Sequence, residues 1–374
     1  MMSKVYFSDM RARPGINLLQ KLSKLIISAG IENIDFKNKF TAIKIHFGEP
    51  GNMAYLRPNY ARVVVDLVKQ MGGKPFLTDA NTLYVGRRKD ALEHMDAAYE
   101  NGYNPFTVGC QIIIADGLKG TDEAYISVPN GEYVQQAKIG RAVADADIII
   151  SISHFKGHEM TGFGGAIKNL GMGCGSRAGK MEMHSASKPR VINKKCIGCG
   201  VCRGICAHDA ITIANKKASI STDNCVGCGR CIGMCSFDAI APSWDESFDV
   251  LNAKMAEYTL AVVHGKPHFH IALVVDVSPY CDCHAENDIP IISDVGMFAS
   301  FDPIALDRAC ADACNAAPII KGSILDENLA DKSSQERLDL DKFNATTPGT
   351  NWLSALEHGE KIGLGTQKYE LIKV

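Results

Sequence analysis

Eight of the fourteen cysteines stand in two copies of one pattern, CxxCxxCxxxC: CIGCGVCRGIC at residues 196–206 and CVGCGRCIGMC at residues 225–235. Three thiolates at this spacing wrap one iron-sulfur cube, and the fourth cysteine reaches across to the other cube. The ligand sets are therefore expected to be mixed. Cys196, Cys199, Cys202 and Cys235 would hold one 4Fe-4S cluster, and Cys225, Cys228, Cys231 and Cys206 the second. Gly198, Gly200, Gly227 and Gly229 let the backbone turn tightly and aim amides at sulfide, which lowers the cost of the cluster's negative charge. Zinc usually takes its four ligands as two pairs and gives no reason for a doubled run of four. Two adjacent clusters move single electrons and make no bonds themselves.

A second group of reactive side chains lies just upstream, in SHFKGHEMTGFGGAIKNLGMGCGSRAGKMEMHS. His154 and His158 are four apart, and Lys156, Lys168, Cys174, Lys180 and His184 follow within about thirty residues. The glycines of GFGG and GMGCG would admit a ligand close to the backbone or form an anion-binding nest. HFKGH contains a glycine and follows a strand, so a loop at the strand's C-terminal end is expected, where open α/β sheets place their sites. Singly, such a histidine is more often a solvated or capping group; together these residues point to a site.

A third group is VSPYCDCHAENDIPIISDVG. Cys281, Cys283 and His284 are soft or borderline ligands within four residues, followed by Glu286, Asp288 and Asp294. They can ligate a third metal or iron-sulfur centre, together with Cys174 and His184, or form a reactive thiol pair. Two buried cysteines beside an exposed loop is the bland alternative. Cys310 and Cys314 share a helical face with Ala, Ile and Leu and read as core, as does Cys110 before a buried strand. In the first part of the chain, His46 and Glu49 in KIHFGEPGN and Asp79 and Asn81 in LTDANTLYVGRR stand at strand ends. With Arg87 and Arg88 they suggest a polar cleft that attracts an anion. His154, His158, Lys168, Asp79 and His46 are the catalytic candidates.

The elements that must position these groups follow from periodicity. INLLQKLSKLIISAG puts Leu18, Leu22, Leu25 and Ile26 on one helical face, and TAIKIHF alternates like a strand. NYARVVVDLVKQMGG reads as a helix, PFLTDA, CQIIIADGL and DADIIISISH as strands, and residues 88–101 as a helix. Beyond residue 242, a helix over SFDVLNAKMAEYTLAVV, strands over HIALVVDV and IPIISDVG, and a helix over PIALDRACADACNAA restore the pattern. The fold class is α/β, with mostly parallel sheets flanked by helices, interrupted by a small α+β two-cluster ferredoxin-like domain. The α/β domain would comprise residues 1–188 and 243–374, with residues 189–242 inserted. Residues 323–350 are polar and read as surface with a short helix.

A formal net charge of -2 and 22% charged residues leave no basic field for nucleic acid. No apolar run suits a signal sequence or a membrane span. A reducing cytoplasm is expected, where regularly spaced cysteines serve metals or redox rather than disulfides.

Residues 189–242 resemble the bacterial two-cluster ferredoxin domain, except that the usual proline after each fourth cysteine is Ala207 or Ser236. KIHFGEPGN, LTDANTLYVGRR, SHFKGHEMTGFGGAIKNLGMGC and CDCHAENDIPIISDVGMFASFDPIALD together resemble the domain-of-unknown-function 362 family, in the form with an internal two-cluster ferredoxin domain. That resemblance implies an anaerobe-type iron-sulfur protein with HFKGH, GFGGAIKN and CDC as site elements. His158, Gly162, Phe163, Gly165 and Lys168 also look like one loop of the nickel-pincer lactate racemases. That likeness implies a histidine acid/base and a lysine that holds a cofactor or carbonyl.

Three functions fit these residues. The first is an oxidoreductase whose clusters exchange electrons with a small anionic substrate in the α/β lobes. The second is an electron donor or maturation factor docking on a redox partner protein. The third is racemase- or isomerase-type proton chemistry by His158 and Lys168. A pure carrier needs no HFKGH and CDCH constellation, and proton chemistry leaves electron transfer unexplained, so the first is favoured.

Overall fold

A computed structural model of the chain describes residues 2–83, 86–185, 188–338 and 340–374. Tyr84 and Val85 of LTDANTLYVGRR lie outside the described residues.

One eight-stranded sheet organises the molecule. Its strands are β1 (Ser3–Asp9), β2 (Phe40–Lys44), β3 (Lys74–Asp79), β4 (Gln111–Ile114), β5 (Ile148–His154), β6 (His268–Val274), β7 (Gly296–Ser300) and β8 (Tyr369–Lys373). They lie in the order β8-β1-β7-β6-β5-β2-β3-β4. Only β7 runs antiparallel to its neighbours. β5 sits in the middle as IIISISH, buried along its whole length. That β-branched run is what a strand covered on both faces requires. Its alternate residues feed two cores: Ile149 joins one, and Ile148, Ile150 and Ile152 the other.

Helices α1 (Leu18–Ser28) and α2 (Pro58–Gln70) cover the second face. α1 starts in a capping box between Asn17 and Gln20 and buries Leu22, Leu25 and Ile26. α2 buries Tyr60, Ala61, Val64, Val65, Leu67 and Val68. α3 (Ala91–Glu100) follows β3, close to the expected helix at 88–101. On the first face lie α4 (Ala166–Cys174), α5 (Arg177–His184), α6 (Phe248–Val263) and α7 (Pro303–Ala316). A Cβ at Gly171 would stand 2.2 Å from the Met255 carbonyl oxygen, so α4 and α6 touch backbone to backbone.

Three local expectations change. IPIISDVG is not a strand: Ile291 and Ile292 are buried, but Ile292 makes only an isolated bridge to Ile319, and the strand is the following GMFAS. Burial without a ladder looks the same as a strand in sequence. HFKGH is the end of β5 running into a small hairpin, Lys156–His158 with Gly162–Gly164, rather than a loop. Residues 323–350 form three short helices, Ile324–Asn328, Ser334–Leu338 and Lys342–Thr346, and bury Leu325 and Phe343. Phe343 packs on Phe163 at 5.5 Å between ring centroids, so this polar segment covers the hairpin.

Between Pro189 and Pro242 the elements are miniature. Arg190–Val191 pairs antiparallel with Ile240–Ala241, bringing chain entry and exit side by side. Between them lie a hairpin of Ile211–Ala214 with Lys217–Ile220 and two short helices, Val201–Ile205 and Arg230–Gly233. Each short helix begins after a left-handed glycine, Gly200 at φ 81° and Gly229 at φ 67°, where a side chain would be strained.

Candidate active site and cysteine cavities

β2, β3 and β5 are parallel, so Lys44, Asp79 and His154 at their C-terminal ends share one edge of the sheet. A pocket opens there. Its walls carry five cationic side chains, Lys44, Arg88, Lys156, Lys168 and Lys180, against the carboxylates of Asp79 and Asp282. Lys44 Nζ lies 3.0 Å from Asp79 Oδ1 and donates to Asn169 Oδ1 at 2.8 Å. Burial opposes ionisation of Asp79, but Lys44 and the neighbouring His94, 3.7 Å away, outweigh it and hold the carboxyl well below its usual range. Arg88, 1% exposed, donates through Nε to Glu49 Oε2 at 2.8 Å, and its Nη1 lies 2.9 Å from His46 Nε2. Burial, reinforced by Arg88, holds His46 well below the ordinary histidine pKa, so the ring is neutral. Nη2 of Arg88 is buried with no hydrogen-bond partner among the described residues. Arg87 turns outward to Glu93 and Glu100.

Lys180 lines the same pocket and is 3% exposed, with its Nζ 2.5 Å from the Gly175 carbonyl oxygen. Burial lowers its pKa to about 8, against the pull of Asp116 and Asp79. A lysine so placed exchanges a proton near neutral pH.

The HFKGH and CDCH motifs meet at the pocket rim. His154 sets Nδ1 at 2.8 Å from Asp282 Oδ2 and Nε2 at 2.8 Å from the Val275 carbonyl oxygen. Both of its nitrogens are engaged, so it orients Asp282. Burial raises the pKa of Asp282, but His154 and Lys156 outweigh it and the carboxyl stays well below its usual range. His158 accepts at Nδ1 from the Met160 and Thr161 amides. Cys281 is 1% exposed and receives Lys168 Nζ at 3.2 Å. The hydrogen bond from Cys283, with Lys168, Lys156 and His158, outweighs burial and holds the Cys281 thiol well below its ordinary pKa.

The glycines serve these contacts. A Cβ at Gly165 would stand 2.4 Å from Asp307 Oδ1, whose carboxylate accepts from the Ala166 and Ile167 amides and fixes the start of α4. A Cβ at Gly173 would meet Lys44 Nζ at 2.5 Å.

Of the other expected residues, Cys174 stands within the field of Lys44 and Asp79, and His184 within that of Lys168 and His158. Cys174 is fully buried in the core, where burial lifts its thiol to about 11. His184 packs edge-on against Trp244 at 4.8 Å, and burial pushes its pKa down to about 3. Glu286 is exposed, Asp288 accepts from the Ile289 amide, and Asp294 from the Asp276 amide. Asn81 bonds Asp116. Cys110, Cys310 and Cys314 are core residues. Cys283 and His284 approach Glu159, with their ligand atoms within 4.8 Å of one another; Cys281 is outside that group.

The two cysteine motifs wall two separate cavities. One is lined by Cys196, Cys199, Cys202 and Cys235. The other is lined by Cys206, Cys225, Cys228 and Cys231. The Ala218 and Ala239 amides donate to Cys196 and Cys235 Sγ, each at 3.3 Å. Burial raises the Cys231 thiol to about 12.

α5 joins these cavities to the pocket. Arg177, at its first turn, is 1% exposed and fits against Gly233, where a Cβ would fall 1.0 Å from its Nη1. It donates to the Lys89 carbonyl oxygen, and Lys89 pairs with Asp238. Leu83 and Met181 share an apolar cluster with Cys196, Cys202, Cys231 and Ile232. Lys180, one turn beyond Arg177, faces the pocket.

Lys44, Glu159, Arg177 and Asp282 are site residues that the sequence reading passed over. Lys44 carries a usable signal, a lysine in an otherwise apolar strand. Asp282 stands between the two cysteines already singled out. Glu159 and Arg177 have no such mark.

Residues 41–312 match the family model described as a domain of unknown function, DUF362. The chain belongs to the DUF362 family. The DUF362 match runs from β2 into α7 and so includes the pocket and both cysteine cavities. A thylakoid-associated protein of Synechocystis sp. is 27% identical over 128 residues, 33% of this chain and 35% of that protein. A lactate racemase apoprotein from Thermoanaerobacterium thermosaccharolyticum aligns with a TM-score of 0.35 at 12% identity, covering 74% of this chain and 51% of that one. A protein from Thermotoga maritima aligns with a TM-score of 0.37 at 14% identity, covering 79% and 57%. The chain thus spans about a third of the curated relative and little more than half of these solved chains. No helix among the described residues is long and apolar enough to cross a membrane.

Proposed function

We propose that this DUF362 protein is a cytoplasmic iron-sulfur oxidoreductase acting on a small anionic substrate, with residues 189–242 as an inserted two-cluster ferredoxin-like domain. The observation that carries the reading is the partition of eight cysteines into two cavities along the mixed sets that the spacing predicts. Four sulfurs around one cavity, apolar walls and amide donors to Sγ suit a four-thiolate cluster, and a cluster would compensate the burial that keeps Cys231 a thiol. When bound, such clusters supply single-electron transfer.

The rest falls to the chain's own side chains. Lys44, Arg88, Lys156 and Lys180 draw an anion into the pocket, with Arg88 Nη2 as a donor that has no partner among the described residues. Lys180 delivers or takes the proton that accompanies electron transfer, since its pKa of about 8 suits exchange at neutral pH. Lys168 and His158 hold Cys281 as a thiolate at the rim. Arg177 fastens the cysteine-rich segment to the helix that carries Lys180.

Anaerobic purification with iron, acid-labile sulfide and zinc counted per chain tests this reading. About eight iron and eight sulfide are expected from two cubes. Zinc without sulfide would refute it.

A further inference from the structure

Beside the pocket, three side chains from two segments converge in a way that electron transfer does not use. Glu159 follows the HFKGH hairpin strand, and Cys283 and His284 follow β6. The carboxylate, thiol and imidazole bring ligand atoms within 4.8 Å of one another. His284 Nε2 lies 2.7 Å from Glu159 Oε1, while Glu159 Oε2 is buried with no hydrogen-bond partner among the described residues. A carboxylate oxygen left this way costs free energy unless a cation takes it.

We propose that Glu159, Cys283 and His284 bind a divalent transition metal of zinc type. One sulfur, one nitrogen and one carboxylate oxygen are the ligand types zinc accepts, and three protein ligands leave a fourth position open. Cys283 also lines the cationic pocket, so the open position borders the space described above. Binding releases the Cys283 thiol proton and displaces the proton between His284 and Glu159, so affinity rises with pH. The metal site stands on these three side chains alone. A role in polarising the bound anion rests on the function proposed above.

The test uses the full chain, purified anaerobically, with iron and sulfide counted before zinc is added. Equilibrium dialysis against zinc should load one ion per chain beyond any cluster metal. Zinc-edge X-ray absorption should show one sulfur at about 2.3 Å and nitrogen or oxygen at about 2.0–2.2 Å. Cys283→Ser should remove the sulfur, and Glu159→Gln and His284→Ala should each weaken binding by about 10-fold or more. Cys281→Ser should leave the sulfur in place. Failure to load zinc at unchanged cluster content, a two-sulfur shell, or unaltered binding in Glu159→Gln and His284→Ala would overturn the assignment. Because iron and sulfide are counted separately, loss of the clusters with zinc binding retained would refute the function proposed above and not this site.

Discussion

Lys168 Nζ donates to Cys281 Sγ at 3.2 Å across 113 positions of sequence, tying the start of α4 to the CDC motif. The two residues come from different motifs and meet because both segments lie at the C-terminal edge of the sheet. An ammonium at this distance favours the thiolate.

Removing that ammonium should therefore weaken Cys281 as a thiolate. In Lys168→Met, the pH at which Cys281 becomes half-modified by a small alkylating reagent should move up by about one unit or more. Mass spectrometry of the Cys281 peptide across pH provides the reading. An unmoved profile would mean that Cys283 and His158 alone hold the charge.

The proposed anion binding should depend on pH through Lys180. Its folded pKa, about 8, lies below the ordinary lysine value because of burial, so its positive charge is present below pH 8 and lost as pH rises through it. Sulfate is a suitable probe because its own charge stays constant from neutral to alkaline pH. Calorimetry should find affinity falling as pH climbs past 8, by about tenfold per unit, until the lysine is fully neutral. Lys180→Met should bind more weakly at pH 7 and lose that slope.

Mixed ligand sets can be told from local ones by pairing substitutions. Cys206→Ser should lose about half of the iron, and adding Cys225→Ser should cost little more, because both face one cavity. Adding Cys196→Ser to Cys206→Ser should strip the remaining iron, because Cys196 faces the other. Iron counts in the three variants decide the matter, and the reverse pattern would assign Cys206 to its own motif.

Much of this arrangement is written in local pattern. The β-branched run of β5, the capped amphipathic α1 and the alternating α/β order are legible because periodicity and burial agree there. The placement of HFKGH near CDCH is legible in outline, since both follow strands of one parallel sheet. What the pattern hides is pairing over distance. Asp307 caps a helix 140 residues earlier in the chain, and nothing near it marks that role. Arg177 depends on the missing Cβ of Gly233, and Glu159 on residues of another segment. The buried IPIISDVG loop carries the apolar content of a strand without its ladder, so its sequence points to the wrong element. β8 at the sheet's edge and β1 beside it bury too little to announce themselves: only Val5 and Ser8 of β1 are buried.

We propose that the cationic pocket and the cysteine cavities work as one device through α5. The most direct test is a redox titration of the reduced clusters, followed by electron paramagnetic resonance, with and without saturating sulfate. An anion held by Lys44, Arg88 and Lys180 makes it harder to add an electron nearby, so the midpoint potential of one cluster should fall when sulfate binds. By reciprocity, reduction should weaken sulfate binding by the same factor. In Lys180→Met, which should bind sulfate more weakly, the shift should appear only at higher sulfate. Unchanged potentials in a protein that holds both clusters and binds sulfate would contradict the account.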